Sequence, residues 1–115
     1  MLPPAHRLRA TSDFTDVVRR GRRVGRPTLT VHLLSAAEAM DRRPARAGLV
    51  VSKAVGGSVV RHRVARQLRH LLRPHVETLP AGTRLVVRAA PASAEATSPV
   101  LATDLAAALD RLARR

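Results

Sequence analysis

The chain has 115 residues, enough for one domain, and carries 21 basic against 8 acidic side chains, a net charge of +13. It has no cysteine, which excludes a disulfide framework, thiolate chemistry and a Cys-based zinc site. No apolar run reaches the roughly 20 residues of a membrane span, and the start MLPPAHRLRA has no apolar signal stretch, so the expected location is cytoplasmic, with no membrane partner. Charge of this size speaks to partners rather than to fold. Residues 1–75 hold 16 basic and 4 acidic side chains, and residues 76–115 hold 5 and 4, so the interface is expected in the first part and support in the second. Lys53 is the only lysine. Arginine forks bidentately onto phosphate and stacks on bases, which suits nucleic acid.

In chain order, residues 1–11 are basic and proline-containing and read as an extended arm. Ser12 is placed to cap a helix whose first turn holds Asp13 and Asp16. Phe14, Val17 and Val18 form its apolar stripe, and Gly21 fits a left-handed stop. Residues 22–27 are a basic connector, with room for a short strand at 22–24. Residues 28–35, TLTVHLLS, read as a strand with Leu29, Val31 and Leu33 on one face and Thr28, Thr30 and His32 on the other. Residues 36–46 read as a loop whose early part could turn helically.

Residues 47–52 are a second strand, expected antiparallel to the first, and Gly56-Gly57 makes a sharp entry into a basic helix over 59–73. Pro74 is expected to end or kink it. A strand over 83–90, a small-residue loop over 91–97 and a final helix complete the chain. Ser98-Pro99 starts that helix, with Val100, Leu101, Leu105, Ala108, Leu109 and Leu112 as its apolar stripe. The expected fold class is α+β: a single-domain two-layer α-β sandwich with helices on one face of a small mixed sheet, in the order α-β-β-(β)-α-β-α.

The helix over 59–73 carries the strongest signal. At about 100° per residue, Val60, Val64, Leu68, Leu71 and Leu72 share one side. Arg63, Arg66, Arg69 and Arg73 share the other with His62 and His70, and Arg61 falls at the boundary. A merely solvated helix would mix signs in i,i+4 pairs. This one has no acid, so its face is suited to a polyanion.

Val51-Ser52-Lys53, then Gly56-Gly57, then Arg61, Arg63, Arg66 and Arg69 at R-x-R-x-x-R-x-x-R spacing resemble the signature of the bacterial ribonuclease P protein subunit. The resemblance extends to Arg7-Leu8-Arg9 followed by Asp13-Phe14, to Arg20-Gly21-Arg22 and to Pro91-Ala92-Ser93, and so covers nearly the whole chain. His62 stands where the family has asparagine, and Ala65 where lysine is usual. The family fold implies a left-handed βαβ crossover, of the kind in one domain of a small-subunit ribosomal protein; the general rule would give a right-handed one.

The resemblance implies a function as well. A catalytic RNA, with Mg2+ held mainly by that RNA, removes the 5′ leader of precursor tRNA, and the protein supports both RNAs. Its partners would be ribonuclease P RNA and precursor tRNA, with no obligate protein partner. By position, Lys53, Arg61, His62, Arg63, Arg66 and Arg69 would contact the catalytic RNA. Arg9, Phe14, Thr28, Thr30 and His32 would form the leader cleft, with Phe14 offering a stacking face. Val18 and His32 stand where family members often place further aromatics.

The chain shows no nucleophile–base pair, paired carboxylates, P-loop or metal-ligand spacing of its five histidines, so no catalytic or metal residues are expected in the protein. The alternatives are a structural RNA-binding protein of ribosomal type, a DNA-binding module using the arginine helix in the major groove, and, last, an autonomous nuclease.

Overall fold

The computed structural model describes residues 2–35 and 43–114; the early part of the expected loop over 36–46 lies outside the described residues. The strands are β1 (Arg22–Gly25), β2 (Leu29–Leu34), β3 (Arg46–Val50) and β4 (Arg84–Ala89). The helices are α1 (Thr11–Arg20), α2 (Ser58–Thr78) and α3 (Ser98–Ala113), with short 3-10 turns at Pro4–His6 and Pro91–Ala94. The sheet order is β1-β2-β4-β3. β2 pairs antiparallel with β1 and β4, while β3 runs parallel to β4, and α2 is the crossover that joins those two strands.

This is the expected α+β class, including the short strand expected at 22–24, which runs over 22–25, with two corrections of arrangement. β3 opposes β2 in direction but does not pair with it, because β4 lies between them. Nor do the helices share one face. Leu29, Val31 and Leu33 of β2 and Leu85 and Val87 of β4 bury against Val64, Leu68 and Leu72 of α2 and Leu101, Leu105 and Ala108 of α3. The residues between them in sequence, Leu34 and Val86, bury against Val17 of α1 on the opposite face, together with Leu8. Period-two alternation therefore feeds two cores. Each fully buried Leu or Val contributes about 1.5–3 kcal/mol to this packing. Within the expected extended arm, residues 2–8 are docked on the sheet, with a 3-10 turn at Pro4–His6. Leu8 N donates to Ala47 O at 2.9 Å, Arg7 bridges Ala47 in parallel, His6 Nδ1 lies 2.6 Å from Ala45 O, and Leu2 and Leu8 are buried. The segment covers the outer edge of β3, where unpaired backbone would otherwise be open.

Local stops and starts also differ from expectation. The N-cap of α1 is Ala10, with no side-chain cap, so Ser12 lies inside the helix; Asp13 sits in the first turn. Gly21 is extended (φ −78°), not left-handed. It is needed because a Cβ there would fall 2.5 Å from Val17 O and 2.7 Å from Leu33 O, backbone atoms that cannot yield. α2 runs through Pro74 to Thr78. Pro74 and His70 lie on the exposed side, where the carbonyl that loses its helical donor can be solvated, and Val76 beyond them is buried. The cap of α3 is Thr97, whose Oγ1 accepts from Val100 N at 3.4 Å, placing Ser98 and Pro99 in the first turn. Among the described residues no helix is long and apolar enough to cross a membrane.

Candidate nucleic-acid interface

The turn between β3 and α2 sets the direction of the basic helix. Gly56 has φ +156°, and a Cβ there would sit 3.1 Å from Val60 Cβ. Gly57 caps α2 without a side chain, and Arg61 Nε donates back to Gly56 O at 3.1 Å. Lys53 is exposed in this turn, and Val55 beneath it is buried. Val64, Leu68, Leu72 and Val76 then hold α2 against the sheet and turn its other side outward.

On that side His62, Arg63, Arg66, Arg69, His70 and Arg73 are exposed and Arg61 is partly buried. The arginines are not equivalent. Arg61 ties down the glycine turn, Arg63 donates to Ala94 O, and Arg73 pairs with Glu77 at 3.8 Å. Arg66 and Arg69 have no such partner among the described residues. They face different neighbours: Arg66 borders a groove with Gln67, His70 and Ser98, and Arg69 borders a hollow with Arg7, Arg9 and Phe14.

The second part of the surface lies between α1 and the sheet. Arg84, 8% exposed at its side chain, donates to Asp13 Oδ1 at 2.9 Å and Asp16 Oδ2 at 2.6 Å. Arg46 adds a longer contact to Asp13 at 3.4 Å. These charge-assisted bonds pin α1 across β3 and β4. Phe14 packs directly on Gly48, where an added Cβ would fall within 2.5 Å of its ring carbon Cε2. The ring is partly exposed and divides two hollows. One, of about 290 Å³, includes Arg7, Arg9, Gly48 and Arg69; the other, of about 220 Å³, includes Val18, Arg19, Val50 and Arg88. Phe14 is thus both packed against the smaller core and presented at the surface.

Of the other expected cleft residues, Arg9 joins Phe14 in the larger hollow, and Thr30 sits opposite Arg88, itself opposite Val50, across the open face of the sheet. His32 lies between Arg23 and Val86 on that face but is only 5% exposed. Burial first, then the charges of Arg88 and Arg23, lower its pKa and favour neutral imidazole. Thr28 is a correction: it precedes β2 and is buried, and its N–H and Oγ1 donate to Asp104 Oδ2 of α3 at 3.0 and 2.6 Å. It belongs to the support on the other side, not to the cleft. Arg88, Arg7 and Arg19 were missed. Arg88 was readable: one charge in the apolar run LVVRA, at the parity of Val86 and out of phase with Leu85 and Val87.

The acids support this frame. The Thr28 hydroxyl bond chiefly lowers the Asp104 pKa, with smaller help from the Thr28 N–H and Arg26, and bonds from Arg84 and then Arg20 lower that of Asp16. A carboxylate depressed on folding adds stability that is present above its unfolded pKa of about 4 and lost as pH falls through the folded value. Thr28→Val raises the folded Asp104 pKa and flattens this dependence. The gap between melting temperatures at pH 7 and pH 3 is expected to shrink in that variant; an unchanged gap would count against Thr28 as the source of the shift.

The family model for Ribonuclease P matches residues 2–113. The chain belongs to the ribonuclease P protein family. It is 55% identical to the ribonuclease P protein component of Streptomyces avermitilis, over 97% of this chain and 95% of that protein. To the component of Corynebacterium diphtheriae it is 46% identical over 100% and 99%. Among solved structures, the Staphylococcus aureus RNase P protein superposes with a TM-score of 0.78 at 24% identity, covering 91% of this chain and 93% of that one. The Thermotoga maritima protein gives 0.74 at 23%, covering 92% and 96%. These two likenesses carry the fold: the mixed four-stranded sheet with three helices is that of ribonuclease P proteins.

Proposed function

We propose that this member of the ribonuclease P protein family binds the catalytic RNA through the exposed face of α2 and holds the 5′ leader of precursor tRNA between α1 and the sheet. The observation that carries this reading is the continuity of the two surfaces: Arg69 of α2 and Phe14 of α1 border the same hollow. An RNA chain on α2 can thereby hand a single strand to a ring that stacks on a base, flanked by Arg7 and Arg9 on one side and Arg88 on the other. Lys53, Arg61, His62, Arg63, Arg66 and Arg69 make the RNA face, and Arg9, Phe14 and Thr30 make the cleft, with His32 buried in the sheet beneath it. The protein screens the repulsion between two polyanions at their junction. The chemistry is hydrolysis of a phosphodiester by the RNA, with magnesium ions held mainly by the RNA; no residue of the protein donates to or accepts from the reacting atoms.

The test is single-turnover cleavage of a precursor tRNA by a bacterial ribonuclease P RNA at low magnesium, with and without the protein. Stimulated cleavage at the mature 5′ end is expected. RNA binding without stimulation would point instead to a structural RNA-binding protein of ribosomal type.

A further inference from the structure

We infer that the RNA-binding surface does not end at α2 but continues onto the start of α3, where a groove takes one phosphate of an RNA backbone. The inference rests on the reading of α2 as an RNA face. The groove, of about 310 Å³, lies between the helices and is lined by Arg66, Gln67, His70, Leu71 and Ser98. Arg66 and His70 are exposed and carry no intramolecular hydrogen bond or ion pair among the described residues, whereas Arg61, Arg63 and Arg73 are all engaged. Two free donors therefore converge where neighbouring arginines are already committed.

The polar groups between them are arranged for a ligand. Gln67 Nε2 donates to Ser98 Oγ at 3.0 Å, so the serine oxygen is used as an acceptor and its own hydrogen is free to donate into the groove. Gln67 Oε1 is buried without a partner. That oxygen is closed to the groove, so the ligand is met by the donors around it. A phosphodiester supplies acceptors for Arg66, His70 and Ser98 at once. The first turn of α3 carries no acid that would repel the phosphate; Glu95 precedes it, in the turn that Arg63 ties to α2.

The discriminating variant is Ser98→Asp. An acid in the first turn of a helix is compatible with folding, yet it places a negative charge against the phosphate. Affinity for a bacterial ribonuclease P RNA is expected to fall about fivefold or more, with an unchanged or raised melting temperature. Ala106→Asp, an exposed position farther along α3, makes the same change of net charge and serves as the control, expected within about twofold of wild type. Arg69→Ala, on the same face of α2 but at the hollow shared with Phe14 rather than at this groove, tests the underlying reading. If Arg69→Ala weakens binding and Ser98→Asp matches Ala106→Asp, the groove is overturned and the α2 face stands. If neither Arg69→Ala nor Ser98→Asp changes affinity, the reading of α2 itself fails.

Discussion

Replacing both Arg66 and Arg69 by alanine is expected to weaken binding to ribonuclease P RNA by roughly 30- to 100-fold at moderate salt, with little change in melting temperature. Each guanidinium on a phosphate makes a charge-assisted bond with a net value of about 1–1.5 kcal/mol in such a setting, and removing two of them compounds to that range. The salt slope provides a second, independent readout. With two fewer phosphates neutralised, it should fall by about 1.5–2. The variant separates binding from folding because neither arginine has an intramolecular partner among the described residues. Arg61→Ala and Arg63→Ala would remove ties to Gly56 and Ala94 as well, so their losses would mix the two effects. Titration of labelled RNA across a potassium chloride series, beside a thermal melt, measures both. An unaltered slope in the double variant would show that these side chains do not meet phosphate.

The largest expected loss of stability comes from Arg84→Leu. Arg84 sits at the end of β4 nearest α1 and donates to both Asp13 and Asp16 at 3 Å or less. Removing it leaves both carboxylates facing an apolar side chain, Asp16 still with Arg20 at 3.1 Å and Asp13 with Arg46 at the longer distance of 3.4 Å. Arg84 is buried and the two acids are partly so, and breaking such a cluster from one side is more damaging than replacing it as a whole. A fall of roughly 10 °C in melting temperature is expected, and combining Arg84→Leu with Asp13→Asn and Asp16→Asn should recover part of it. Because α1 carries Phe14, the single variant should also narrow the affinity difference between precursor and mature tRNA. A variant that melts like wild type would mean that α1 is held by Val17 and Phe14 alone.

Legibility in the sequence followed the range of the interactions. The alternation of Leu29, Val31 and Leu33, the amphipathic spacing of α2 and the Gly56-Gly57 entry are local, and the structure has them where local physics puts them. The position of β4 between β2 and β3 is a pairing across some forty residues or more, and nothing in either strand announces it. Thr28 was misplaced for the same reason. Its parity matches Thr30, but Asp104, 76 residues away, turns it to the opposite side. Phe14 could be recognised as a helix residue with an apolar stripe, but not as a ring seated on Gly48, since the glycine is distant in sequence and its role is to leave room. The cap of α3 falls at Thr97 rather than Ser98 because two hydroxyls adjoin that start and tertiary context chooses between them, whereas α1 uses neither Thr11 nor Ser12 and begins after Ala10 with no side-chain bond.

The insertion of β4 between β2 and β3 has a consequence for how the chain is made. On the ribosome β2 and β3 emerge first, and neither has its native neighbour on its inner edge until residues 84–89 are out. The docked segment at 2–8 waits as well, because its partner β3 is not yet fixed. Synthesis therefore releases a long, strongly cationic and incompletely paired chain before its sheet can close. Such late, non-local closure slows folding, and it leaves the cationic α2 segment out of the ribosome before the sheet it packs against is complete.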